Sequence, residues 1–125
     1  MQKANRNFDL EERLIDFSTH VIKTVEILPK SRVGNHIAGQ LIPSGTSPAP
    51  NYGEALSAES RSDFIHKMKI SLKELRETRV WLLMAIRANL SKSELIEPLL
   101  NENEQLISIF ATSIKTAQKN RMETS

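Results

Sequence analysis

The chain contains no cysteine, which excludes disulfides, thiolate metal sites and cysteine nucleophiles together and fits a reducing compartment. Aromatics make up only 5% of the 125 residues, with one Trp and one Tyr. The core must therefore be built mostly of Leu and Ile. Strand signals are also missing: there is no sustained alternation and no Asn-Gly hairpin. No repeat of fixed period is present. The longest apolar run, Val80 to Ile86, is far short of the roughly 20 residues needed to span a bilayer, so no membrane partner is expected. The opening stretch MQKANRNFDLEERL lacks the apolar segment of a secretory signal, and the expected location is the cytoplasm.

What remains is 39% apolar and 26% charged, a composition that folds rather than one that stays disordered. A chain of this length builds its own core without staples. The formal charge is +2 and the sequence pI is near 9.0. A balance this mild points to no partner until its distribution is known.

Apolar spacing marks four helical stretches. In the first, near Asp9 to Leu28, Leu10, Leu14, Phe17, Val21, Val25 and Leu28 share a face. Glu11 and Glu12 are placed in its first turn, where the dipole favours them, and Pro29 stops it. The second opens at Ser31, a suitable N-cap, and Val33, Ile37, Leu41, Ser44, Pro48, Tyr52 and Ala55 keep helical phase. Pro43, Pro48 and Pro50 interrupt that stretch. Either the helix ends near Ile42 and resumes near Asn51, or one helix is kinked at its prolines.

The third stretch starts at Ser60 or Ser62 with Asp63 behind it, buries Phe64, Met68, Leu72, Leu75, Leu82 and Ile86, and ends at Asn89. The fourth follows Ser93, with Pro98 expected to delay its start. Leu95, Leu99, Leu106, Phe110, Ile114 and Ala117 face inward, with Asn103 interrupting that face where it can fix register. The expected fold is all-α, an antiparallel up-down four-helix bundle. It is read as a single domain over residues 1–125, with a flexible arm over about 1–7 and a fraying tail over about 120–125.

No catalytic constellation emerges. His20, His36 and His66 include no zinc-binding i, i+4 pair. Asp63-x-x-His66 has the spacing of one di-iron half-site, but such centres need a second pair and two more carboxylates, so capping explains Asp63 better. There is no nucleophile elbow and no phosphate loop. Ser44, Thr46 and Ser47 have no base at an activating spacing. No enzyme, metal or cofactor is expected.

The third helix carries the informative surface. Lys69, Lys73, Arg76 and Arg87 fall in one narrow sector at 100° per residue, either a phosphate-facing stripe or a solvated flank diluted by Glu74 and Glu77. Ile70, Trp81, Met84 and Ala88 lie opposite the main core sector. A second apolar face implies another chain or cover by a terminal arm. Arg79 falls on the apolar face between Leu72, Leu75 and Leu82. It is either buried against an acid, with Glu54 the candidate, or at the edge with its head in water.

The run Gln40-Leu41-Ile42-Pro43-Ser44-Gly45-Thr46-Ser47-Pro48-Ala49-Pro50-Asn51-Tyr52-Gly53-Glu54-Ala55 is distinctive. So are Asp63-Phe64-Ile65-His66-Lys67-Met68 and Leu75-Arg76-Glu77-Thr78-Arg79-Val80-Trp81-Leu82. Together, from about Phe8 to Asn120, they resemble the bacterial four helix bundle protein family. That family was first noticed as reading frames inside intervening sequences of large-subunit ribosomal RNA genes. The resemblance implies a helical-hairpin bundle assembled as a cyclic pentamer, with the Pro-rich segment largely helical, which favours the kink. A related accessory protein of diversity-generating retroelements partners a reverse transcriptase and binds nucleic acid, though such relatives are more basic than this chain. The leading expectation is thus a non-enzymatic homo-oligomeric scaffold. The alternative is a nucleic-acid-binding accessory subunit partnering a ribonucleoprotein or reverse transcriptase.

Overall fold

A computed structural model describes residues 6–124, with side chains described from 9 to 120. Residues 1–5 of the expected arm and Ser125 of the tail lie outside the described residues. The elements are α1 (Arg6–Ile27), α2 (Arg32–Thr46), α3 (Pro48–Leu56), α4 (Arg61–Arg87) and α5 (Ser93–Thr124). Because α2 and α3 are two halves of one bent helix, the architecture is the expected all-α four-helix bundle. α1 and α5 each extend further outward than the sequence implied, α1 to Arg6 and α5 to Thr124. The acid in the first turn of α1 is consequently Asp9, with Glu11 and Glu12 beyond it.

The bend has a specific origin. Ser47 keeps right-handed helical angles, φ −76° and ψ −27°. Its N–H donates to the Pro43 carbonyl at 3.1 Å, and its own carbonyl accepts from the Asn51 N–H at 3.2 Å. The i→i−4 ladder therefore survives on both sides. Pro48 and Pro50 have no N–H, so the carbonyls of Ser44 and Thr46 lose their usual donors, and the helix bends there without turning back. Pro48 itself starts α3, a position where a missing N–H does no harm.

Chain reversals rest on local chemistry. Ser31 Oγ caps α2 by accepting from Gly34 N–H at 3.0 Å. A Cβ at Gly34 would overlap the Pro29 carbonyl oxygen, so only glycine lets the chain fold back at this point. Ser60, rather than Ser62, caps α4, accepting from Asp63 N–H at 3.0 Å. At the other end Asn89 takes φ 54°, with Asn89 N–H on Ile86 O and Leu90 N–H on Ala85 O, both 3.0 Å. Those two bonds form a Schellman motif with Asn in the left-handed position. Pro98 does not delay α5; it lies inside the helix.

Within the bundle α4 packs on α2, α3 and α5, while α1 packs on α2, α3 and α5; the backbones of α1 and α4 do not come close to each other. They are the diagonal pair, with α2–α3 on one side between them and α5 on the other. The core runs through Leu14, Phe17, Leu41, Tyr52, Met68, Leu75, Leu82, Leu99, Leu106 and Phe110, all essentially inaccessible. Tyr52 and Phe110 meet edge to face at 5.8 Å. At α1 and α2 the approach depends on Gly45, where a Cβ would come within 2.7 Å of both Val21 methyls.

Candidate interaction surfaces

The face of α4 that meets the core explains its surface. Buried positions are Ile65, Met68, Ser71, Leu75, Thr78, Leu82 and Ala85. Two of them are hydroxyl residues, which a purely apolar reading passes over. Thr78 and Ser44 hydroxyls bond at 2.9 Å, while Thr78 Oγ1 also lies 2.9 Å from the Glu74 carbonyl. A threonine hydroxyl has one proton, so Thr78 donates to Glu74 O and accepts from Ser44. Ser71 Oγ donates to the Pro48 carbonyl at 3.2 Å. Small polar side chains let α4 approach the bent helix closely.

With Thr78 on the core face, Arg79 falls at its edge. It is exposed and donates from Nε to Glu104 of α5 at 3.0 Å. Glu54 is elsewhere, held by Lys67 at 2.7 Å. The Arg79–Glu54 pair expected from sequence is therefore corrected: Arg79 faces α5, whereas Glu54 lies on the α3 side of α4. Asn103 is buried as its position in the stripe indicated, and its Nδ2 donates to the Leu75 carbonyl at 3.1 Å.

Lys69, Lys73, Arg76 and Arg87 do share the outer, exposed face of α4. Among the described residues none of the four has an ion-pair partner, whereas Arg13, Lys67 and Arg79 are all paired. Glu74 is half-buried. Glu77 accepts from Trp81 Nε1 at 3.2 Å. The four residues Ile70, Trp81, Met84 and Ala88 separate. Met84 and Ala88 are exposed, while Ile70 and Trp81 are half-buried. Trp81 meets the His36 ring of α2 edge to face at 5.7 Å, so α2 covers part of it.

Other exposed apolar residues were missed in the sequence because each lies just off a core stripe. Ile15 and Ile22 on α1, Ile42 on α2 and Val80 on α4 are 45–47% exposed, as is Met84.

One concavity lies at the end of the bundle where α1 begins. This open cleft of about 1070 Å³ has Leu10, Leu56, Phe64 and Ile109 among its apolar walls and Ser108, Thr112 and Thr116 along its polar side. None of its lining residues is His, Lys or Cys. Its Arg13 is occupied by Glu102, with Nε and Nη2 at 3.0 and 2.9 Å, a bond that raises the arginine above its ordinary value. Tyr52 is pushed up by burial, with help from the charge of Glu11, and so stays a neutral phenol. Among the described residues no group of three or more His, Asp or Glu could hold a metal, and no helix is long and apolar enough to cross a membrane.

Residues 6–112, from α1 into α5, match the sequence pattern of the 23S rRNA-intervening sequence proteins. The chain belongs to that family. No curated protein shows a detectable match. Among solved structures, this family member is similar to a crystal structure of a protein of unknown function from the S23 ribosomal protein family of Bacteroides thetaiotaomicron. The two share 30% identity and a TM-score of 0.78, over 84% of this chain and 97% of the other.

Proposed function

We propose that this family member is a non-enzymatic helical-bundle scaffold that works in the cytoplasm as a homo-oligomer. The observation that carries the reading is the set of exposed apolar residues at helical spacing, Ile15 and Ile22 on α1 and Val80 and Met84 on α4. Four large side chains left 45–47% exposed on two faces of a small bundle mark surfaces that association covers. Replacing Ile22 or Met84 with Glu places a charge where apolar area is to be buried. Each substitution is expected to lower the assembled fraction by light scattering while helical content by circular dichroism stays unchanged. An assembled fraction untouched by both would remove these faces from the interface.

A second reading, a nucleic-acid-binding accessory subunit, is favoured by four α4 cations that have no ion-pair partner among the described residues. Phosphate contacts from Lys69, Lys73, Arg76 and Arg87 would make binding fall steeply with salt, although no exposed aromatic residue is present beside them for base stacking. Fluorescence anisotropy with single- and double-stranded RNA and DNA across a salt series separates the readings. The scaffold account expects feeble binding that charge reversal of the stripe does not change.

A further inference from the structure

The cleft at the end of the bundle is a core layer left open to one side. Tyr52, which lines it, and Phe110, which Tyr52 meets edge to face, are both inaccessible and close the continuous core there. Beyond them Leu10 of α1, Phe64 of α4 and Ile109 of α5 are only half-buried, and Leu56 of α3 is 39% exposed. Leu10 and Phe64 each open the apolar stripe of their helix, so both stand where a core would continue. The large counterpart they lack would have to come from α5. That helix instead presents Ser108, Thr112 and Thr116 to the cleft, all three exposed.

Shape and charge narrow what fits. The hydroxyl residues recur every four positions and, with Asn120, run along α5 for about 18 Å, roughly three helical turns. Small side chains along that wall let another helix lie close beside α5. The walls are helices and one turn, with no strand edge to which an extended peptide could add. The rims are acidic. Asp9 on α1 and Glu59 on the α3–α4 turn line the cleft and are exposed, and neither has an ion-pair partner among the described residues. The charge of Glu11 also reaches the Tyr52 wall. Of the lining cations, Arg13 is committed to Glu102 and Gln105, so Asp9, Glu11 and Glu59 outweigh Arg61.

We propose that this cleft receives a basic amphipathic helix from another protein. A large apolar side chain of that helix completes the layer of Leu10, Leu56, Phe64 and Ile109, while cations on its flanks face Asp9 and Glu59. The apolar anchors carry the affinity, because they enter a site already walled on three sides. The rim carboxylates, which stay in water, set the preferred charge and the encounter rate. Leucines at every third or fourth position of the incoming helix match a trough of this length. The inference goes beyond the scaffold reading and does not depend on it, since the cleft is complete within one chain.

The probe is a labelled, amidated Leu/Lys model helix of about 14 residues, with a Leu/Glu helix of the same pattern for comparison. Each is titrated with the full chain in fluorescence anisotropy. The wild type is expected to bind the Leu/Lys helix, more weakly as salt rises, and not the Leu/Glu helix. Thr112→Trp fills the trough from an exposed position and is expected to weaken binding about tenfold or more, with helical content by circular dichroism unchanged. Asp9→Asn with Glu59→Gln is expected to flatten the salt dependence and leave the apolar part of the binding. A wild type that ignores the Leu/Lys helix, or binding that Thr112→Trp leaves intact, would overturn the cleft as a docking site. Equal binding of the two helices would overturn the basic partner. A fall in assembled mass on Thr112→Trp, read by light scattering, would mean that a second copy fills the cleft and would overturn the foreign helix. A monomeric wild type that binds the Leu/Lys helix as described would remove the scaffold reading and leave this one standing.

Discussion

Gly39 and Gly45 share α2 and yet have opposite roles. Nothing lies within 4 Å of a Cβ built at Gly39, while one at Gly45 comes within 2.7 Å of two methyls of buried Val21. Val is stiff at χ1, so it cannot swing aside. Gly45→Ala should destabilise by about 1–3 kcal/mol through overpacking, and Gly39→Ala should stabilise by about 0.4–1 kcal/mol by restricting the unfolded chain. Urea melts of the two variants decide this; equal effects would mean α1 and α2 are not so closely packed. The sequence offered four glycines without distinguishing them, because close approach is a property of two helices at once.

Tyr52 makes the second residue-scale claim. Burial, aided by Glu11, raises its pKa, so the fold favours the neutral phenol. That contribution to stability is complete below the ordinary tyrosine value of about 10 and is lost as pH rises through the higher folded value. The chain has a single Tyr, so the ultraviolet absorbance of its phenolate reports this group alone. Its midpoint is expected above about 10; a midpoint at or below that would contradict its burial between α3 and α5. Arg79 was harder to place from sequence. Its neighbours Leu75 and Leu82 are buried, but the true inward position between them is Thr78. The pair Arg79 makes with Glu104 is exposed, and such pairs contribute at most about 1 kcal/mol.

At the scale of elements, the helices were legible because their apolar residues recur every three or four positions. The bent helix was legible only in part. Three prolines argued for a loop, yet each lost donor affects one carbonyl, and the remaining bonds at Ser47 hold the path. What fastens this helix to α4 is polar and small. Thr78→Val would leave the Ser44 hydroxyl without its acceptor in a buried site, a loss of about 1–3 kcal/mol. Adding Ser44→Ala removes the stranded group, so the double variant should recover part of the loss. A double-mutant cycle by chemical denaturation that showed strict additivity would mean the two hydroxyls are not coupled.

At the scale of the whole molecule, the bundle and its family could be read from the chain, while the interacting surfaces could be read only in fragments. The basic sector of α4 follows from residue spacing, and the structure adds that its cations have no ion-pair partner among the described residues. The isoleucines of α1 were hidden because each sits one position past a buried residue.

The central claim is that this chain functions assembled. Its most direct test is the mass of the wild-type protein by sedimentation velocity at micromolar concentration in low and physiological salt. The account predicts one closed species of several 14.1 kDa subunits, losing mass as protein is diluted. A monodisperse 14.1 kDa monomer across that range would contradict it.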